Sequence, residues 1–305
     1  MTIKFTYTRE IKMDVFCVNS FTCNNLGGNP AGVVLNAEQL TEAQMQRIAK
    51  KVGYAETAFV CVNQQANNPC DFNVRFFTPT NEVDFCGHAT LAVFSLMFSK
   101  GFIQAKRYIQ RTKAGDLAVN IESNGLVTMN QKLPQFLGLF SHQEIATVLG
   151  VEHNALASTN LPVEIISTGL ADVIIPVPLG MLDTIKPNDD QISHFCRQHN
   201  VVGFHLFELM TSESEYSASC RNFAPLVGIP EESATGSACG ALACYLSKHI
   251  PSQINASPYR YNFEQGRVMN CSSNLSAKVR YTGDEISSVQ VSGYAKLMST
   301  QVVSV

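Results

Sequence analysis

The chain of 305 residues has no tryptophan and little charge, with only 15% of its residues Asp, Glu, Lys or Arg. The missing tryptophan has no functional meaning of its own. The scarce charge does, because a net charge of -3 and an isoelectric point near 6.2 give no bulk attraction to nucleic acid or to an anionic membrane. Long apolar runs are also missing. HLFELM, around Leu206, and VIIPV, from Val173, fall far short of the ~20 residues needed to span a bilayer. The opening segment MTIKFTYTREIKMDVF lacks the apolar stretch and small-residue cleavage site of a secretory signal, so a cytoplasmic protein is expected. Neither a G-x-G-x-x-G nor a P-loop lysine motif occurs, which argues against nucleotide binding. No C-x-x-C pair occurs among the ten cysteines, and Cys86-Gly87-His88 alone supplies too few ligands for structural zinc. No metal and no cofactor are therefore expected. Cys17, Cys61, Cys220, Cys239 and Cys244 sit irregularly among apolar residues and read as small buried hydrophobes.

What is abundant is apolar surface, with 45% hydrophobic residues, enough for large cores. Much of it recurs. GGNPAGVVL from Gly27 echoes STGLADVII from Ser167, and VGYAETAFV from Val52 echoes VGFHLFELM from Val202. RFFTP from Arg75 echoes RNFAP from Arg221, and FCGHATLAVFSLMFSK from Phe85 echoes ATGSACGALACYLSKH from Ala234. Four matches in one order, displaced by about half the chain, indicate a duplication. In the last pair each glycine opens a helix that is apolar on nearly every face and so must be buried all round. The segments between, rich in β-branched and aromatic residues, read as strands, with short helices at TEAQMQRIAKKVG and HQEIATVLG. The pattern predicts an α+β fold of two pseudo-symmetric halves, each a mixed β-barrel around a buried central helix. The first half spans residues 1–132 and is joined by a C-terminal strand over 297–305; the second spans 133–296.

The two helix starts have chemical meaning. Unpaired N–H groups and a partial positive charge at Gly87 and Gly236 suit an anion, and a carboxylate is the obvious small candidate, although a glycine also serves simply to permit a tight turn. Glu56 lies in apolar surroundings that would move its carboxyl towards acid–base behaviour near neutral pH, or it is an ordinary exposed strand-end glutamate. Its echo is read as Leu206. Cys86, at a helix start, is expected to incline towards thiolate, and Thr235 opposite it argues against a symmetric two-thiol racemisation. His88 at the same helix start is expected to be neutral, as a hydrogen-bonding group at the site or as a satisfied structural histidine. Glu232 and Ser237 complete the candidates.

Taken together, GGNPAGVV at Gly27, ETAFV at Glu56, RFFTPTNEVDFCGHATLA from Arg75, RNFAPLVGIPEESATGSA from Arg221 and FEQG at Phe263 strongly resemble the phenazine-biosynthesis PhzF-like isomerases, relatives of diaminopimelate epimerase and proline racemase. The resemblance implies the diaminopimelate-epimerase-like fold and no metal or organic cofactor. It further implies Glu56 as the acid–base residue, with His88, Glu232 and Ser237 as further catalytic groups. Gly87, Gly236, Cys86, Thr235, Asn29 and Ala55 would surround a small carboxylate substrate, and a homodimer is expected. The chain departs from the family pattern in four places: Ala55 stands where serine is usual, Glu232 where aspartate is usual, Ser233 where proline is usual, and Asn270-Cys271 where a Gly-Arg pair is common after Gln265-Gly266. Cys86 matches the epimerase branch. Two other functions stay open on this reading, a Cys86-dependent epimerase or dehydratase of an amino acid and a non-catalytic metabolite-binding protein.

Overall fold

A computed structural model describes residues 11–62, 70–250 and 258–305, so most of the opening segment read above for a secretory signal lies outside the described residues. The first half runs β1 (Lys12–Ser20), β2 (Asn29–Val34), α1 (Glu42–Val52), β3 (Thr57–Val62), β4 (Phe72–Phe77), β5 (Glu82–Val83), α2 (Gly87–Ser99), β6 (Arg107–Thr112), β7 (Gly115–Ile121) and β8 (Val127–Asn130). The second half runs β9 (Gln135–Phe140), α3 (His142–Leu149), α4 (His153–Ala157), β10 (Val163–Ser167), β11 (Ala171–Pro176), α5 (Asp189–His199), β12 (Gly203–Leu209), β13 (Ala218–Ala224), β14 (Ile229–Glu232), α6 (Gly236–His249), β15 (Tyr259–Gln265), β16 (Ser273–Thr282) and β17 (Glu285–Gly293). A final strand, β18 (Ala295–Ser304), returns to pair with β1.

The strand pairings display the duplication directly. In the first half β18, β1, β2, β3, β4, β6, β7 and β8 neighbour one another in that order, with β5 beside β4. In the second, β9, β10, β11, β12, β13, β15, β16 and β17 do the same, with β14 beside β13. The sense of each pairing matches as well: parallel at β2·β3 and β11·β12, parallel again at β4·β6 and β13·β15, and antiparallel elsewhere. Antiparallel β8·β17 joins the halves, with the Thr128 and Ser292 hydroxyls 2.8 Å apart across the junction.

Each half wraps its sheet around one helix, as the all-round apolar pattern requires. His88–Met97 of α2 are all buried, as are Gly236 and Ala238–Ser247 of α6. Both helices contribute to a single core that also takes in Phe21, Phe76, Phe94, Tyr245 and Phe263, and α2 and α6 touch each other. The shorter helices cover the outside. α1 opens on a Thr41–Gln44 capping box and α3 on a Ser141–Glu144 box, so the first N–H groups of each are satisfied locally. No helix among the described residues is long and apolar enough to cross a membrane.

One of the four echoes is shifted. Thr57 pairs with Gly32 on β2, and Gly203 pairs with Asp172 on β11. Gly32 and Asp172 are equivalent in the first echo, so Thr57 corresponds to Gly203, and the counterpart of Glu56 is Val202, not Leu206. The shared Val-Gly dipeptides misalign the segments because their glycines do different work. Gly53 ends α1 in the left-handed region at φ 75°, a role filled in the second half by Asn200 at φ 54°. Gly203 instead lies inside β12, where a Cβ would meet the Phe223 carbonyl oxygen at 2.4 Å.

Candidate active site

Two matching ion pairs position β5 and β14. Arg75 on β4 grips Glu82 on β5 with two hydrogen bonds of 2.7 Å, and Arg221 on β13 grips Glu231 on β14 with bonds of 2.8 and 2.9 Å. Forked pairs of this kind fix orientation as well as distance. The RFFTP and RNFAP echoes are therefore the same clamp built twice. Arg221 holds Glu231, and its neighbour Glu232, 15% exposed, faces Nδ1 of His88.

Glu56 ends the connection between α1 and β3, and its carbonyl accepts a hydrogen bond from the Gly32 N–H at 3.1 Å. Its side chain is only 14% exposed. Oε2 is sealed from solvent and has no hydrogen-bond partner, although it lies 3.3 Å from Nε2 of His88. Burial pushes its pKa above the usual carboxylate value, and the neighbouring Cys86 thiol offsets part of that rise.

His88, the second residue of α2, stands between two carboxylates. Its Nε2 faces Glu56, and its Nδ1 lies 3.7 Å from Oε1 of Glu232. Burial pulls its pKa down while Glu232 pulls the other way, so the imidazole is held towards its neutral form, as the sequence led us to expect. The backbone of this residue is fixed by the Ser20 hydroxyl, which donates to the His88 carbonyl at 2.7 Å.

Glu232 is held from two sides. Its Oε1 accepts from the Asn29 amide at 2.8 Å and its Oε2 from the Thr235 hydroxyl at 2.5 Å. Burial raises its pKa, opposed in part by His88, Thr235 and Asn29. Asn29 also donates to the Ala234 carbonyl at 3.0 Å, so one side chain of β2 fixes the start of α6 in the opposite half. Ser233, at the position where family members usually carry proline, donates to the Gly28 carbonyl at 3.1 Å and so tethers the same loop.

The thiol at Cys86 departs from expectation. Its sulfur is 3.4 Å from Nδ1 of His88. Burial pushes its pKa well above 9, and the Glu56 and Glu232 carboxylates push it further, outweighing the help of the Ala89 N–H. A helix start favours thiolate only where the anion stays solvated or paired, and here it is neither. The residue is held as a neutral thiol.

The two helix starts differ. Neither Cys86 nor Thr235 caps its helix with its own side chain, so N–H groups of the first turns remain available. A Cβ at Gly87 would meet only Phe85, at 4.0 Å, so the backbone there is open to close approach. At Gly236 a Cβ would meet the Phe21 ring at 3.4 Å, and that glycine is buried. Thr235 and Ser237, half-buried, present the accessible part of the α6 start, and the Ser237 carbonyl is fixed by the Thr168 hydroxyl at 3.0 Å. Ala55 lies beside Glu56, also half-buried.

Two residue groups at the site had no assigned role in the sequence. Gln265, fully buried at the end of β15, accepts from the Thr235 N–H at 3.2 Å and donates to the Glu232 carbonyl at 2.7 Å and to the Thr235 hydroxyl at 3.1 Å. Only its place in the FEQG motif hinted at it. Behind Glu232 lies a buried polar cluster of Asp172, His205, Asn222, Cys239 and Cys220. Asp172 is 2% exposed and its pKa is pushed up to about 7, first by burial, with the nearby Glu232 adding to the rise.

Glu56, Cys86 and His88 also bring three potential metal donors within 4.8 Å of one another. Cys86-Gly87-His88 alone shows only two of them; the third arrives from the connection between α1 and β3 through the fold.

Known proteins share the sequence pattern and the fold. A family profile described as "Phenazine biosynthesis-like protein" matches residues 18–301. An uncharacterized isomerase of Clostridium acetobutylicum is 31% identical over 291 residues, covering 93% of this chain and 95% of that protein. The trans-2,3-dihydro-3-hydroxyanthranilate isomerase of Pseudomonas chlororaphis is 30% identical over 281 residues, covering 90% and 94%. A PhzF-family protein of Bacillus anthracis superposes with a TM-score of 0.87 at 30% identity, over 96% of this chain and 99% of that one. A hydroxyproline epimerase from Agrobacterium vitis, at 10% identity and a TM-score of 0.59 over 98% and 94%, shares the fold. The chain belongs to the phenazine biosynthesis-like, or PhzF, family of isomerases.

Proposed function

We propose that the protein isomerises a small carboxylate-bearing metabolite by moving a proton between two carbons, with Glu56 as the general acid and base. The observation that carries this reading is the Glu56 carboxylate, which is nearly buried, raised in pKa and left with an oxygen that no hydrogen bond occupies. A base of that kind takes a C–H proton and, because its conjugate acid is only moderately strong, can return it to a second carbon of the same molecule. The open backbone at Gly87 and the first turn of α6 at Thr235 and Ser237 would receive the substrate carboxylate, whose charge they complement. His88 would present Nε2 to the substrate or to Glu56, and Glu232, gripped by Asn29 and Thr235, would steady the ring from the Nδ1 side. The kinship to a trans-2,3-dihydro-3-hydroxyanthranilate isomerase supports a substrate whose abstracted proton is acidified by neighbouring unsaturation.

A thiol-based reaction through Cys86 has less support, since the sulfur is buried between two carboxylates that oppose its ionisation. The two mechanisms separate in one experiment. Wild type, Glu56→Gln and Cys86→Ser are incubated in heavy water with a panel of amino acids, hydroxy-amino acids and cyclohexadiene carboxylates, and deuterium uptake is followed by NMR. Loss of a positioned acid–base group should slow exchange about 10²–10⁴-fold in Glu56→Gln. Exchange in Glu56→Gln within tenfold of wild type, or its loss in Cys86→Ser alone, would overturn the assignment.

A further inference from the structure

We propose that Glu56, Cys86 and His88 form an inhibitory binding site for a borderline divalent cation of the Zn²⁺ type. The inference depends on the proposed function only for its consequence; the binding itself stands on geometry. In a tetrahedral site with bonds of about 2.0–2.3 Å, neighbouring nitrogen and oxygen donors lie about 3.4 Å apart, and nitrogen and sulfur about 3.6 Å. Nε2 of His88 is 3.3 Å from Oε2 of Glu56 and 3.9 Å from Sγ of Cys86, and all three donors fit within 4.8 Å. The atoms therefore already sit close to the edges of one coordination tetrahedron, and an ion needs only small side-chain adjustments.

A second observation points to a ligand. Oε2 of Glu56 is cut off from solvent and makes no hydrogen bond, which leaves a buried, unpartnered acceptor 3.3 Å from Nε2 of His88. The outer groups suit a metal too. With Nε2 on the ion, Nδ1–H is turned towards Oε1 of Glu232, 3.7 Å away, and that oxygen is steadied by Asn29. A carboxylate behind a ligating histidine fixes its tautomer and strengthens its donor nitrogen. One thiolate, one imidazole and one carboxylate select Zn²⁺, Co²⁺ or Cu²⁺ over Mg²⁺.

Binding replaces the thiol proton: Cys86 loses H⁺ to the buffer as the S–metal bond forms, and no electron is transferred. The fourth position stays open to water. With its Oε2 lone pair on the ion, Glu56 no longer accepts a substrate proton, so the ion inhibits isomerisation reversibly.

The test uses Co²⁺ as a coloured stand-in for Zn²⁺, titrated into full-length, chelator-treated protein. One equivalent should produce a thiolate-to-cobalt charge-transfer band together with intense tetrahedral d–d bands, and Zn²⁺ should bleach both while excess Mg²⁺ leaves them unchanged. Cys86→Ser should lose the charge-transfer band, and Glu56→Gln, an amide of the same size, serves as the second variant should Cys86→Ser fail to fold. Glu232→Gln should bind Co²⁺ about 10–100-fold more weakly. A charge-transfer band that survives in Cys86→Ser overturns the site, because one of the other nine cysteines must then hold the ion, and an affinity unchanged in Glu56→Gln overturns it too, because Glu56 is then no ligand. The spectra are read without substrate, so they stand or fall apart from the catalytic role of Glu56. Deuterium exchange that Zn²⁺ stops and a chelator restores supports the inhibitory role; exchange indifferent to saturating Zn²⁺ overturns it.

Discussion

Replacing Asp172 with asparagine should stabilise the protein at neutral and alkaline pH and leave it unchanged near pH 4. Asp172 is 2% exposed, and burial with the nearby Glu232 pushes its pKa from the ordinary 3.8 to about 7. The folded protein therefore holds this proton where the unfolded chain has already released it. Because the folded state binds the extra proton, stability falls as pH rises from about 4 to about 7, by about 1.4 kcal/mol for each pH unit. Over the full interval the loss is of order 4 kcal/mol, and above pH 7 it stops growing. Asparagine at this position keeps an oxygen for the Asn222 amide and carries no charge to bury. Urea or thermal unfolding of wild type and Asp172→Asn at pH 5, 6, 7 and 8 measures the difference. For a chain of this size 4 kcal/mol corresponds to a rise in melting temperature of about 6 °C at pH 8. If the two proteins lose stability in parallel from pH 5 to pH 8, Asp172 does not titrate as the buried cluster requires, and the argument fails.

Three further outcomes follow from the site and its surroundings. The ring signals of His88 should keep their neutral-form shifts at pH 6, where an exposed imidazole is mostly protonated, because burial lowers its pKa; NMR of histidine-labelled protein measures this. Asn29→Leu strips the Glu232 carboxylate and the Ala234 carbonyl of a donor each. Each buried group left unsatisfied costs about 1–3 kcal/mol, so both unfolding free energy and turnover should fall. Gly293→Ala places a Cβ 2.4 Å from the Phe21 ring, and overpacking of that kind should destabilise by about 1–3 kcal/mol in urea melts.

The buried helices were legible because His88–Met97 and the bulk of α6 are apolar all round, a pattern that admits no exposed face. The strands of the barrels were legible for the same reason, through their β-branched and aromatic content. The edges were harder to read. β9 is exposed along nearly its whole length, β18 along most of its second half, and neither shows the alternation that marks a half-buried strand. At the site, Glu56, Cys86, His88 and Glu232 do converge, but the charge state of the sulfur was misjudged. The helix start at Cys86 favours an anion, and only three-dimensional burial between two carboxylates reveals the larger opposing effect. Asp172, His205 and Asn222 left no trace in the sequence, because each belongs to a different strand and their proximity is a product of folding alone.

The pairing of β1 with β18 has a consequence for the order of assembly. Residues 295–304 leave the ribosome after every segment they pack against, yet they are to the first barrel what β9 is to the second. The half that is translated first therefore waits with an open seam along β1, while the half translated later carries its own closing strand. Vectorial synthesis and structural completion run in opposite directions here, and the earlier half, with α2 at its centre, is the one finished last.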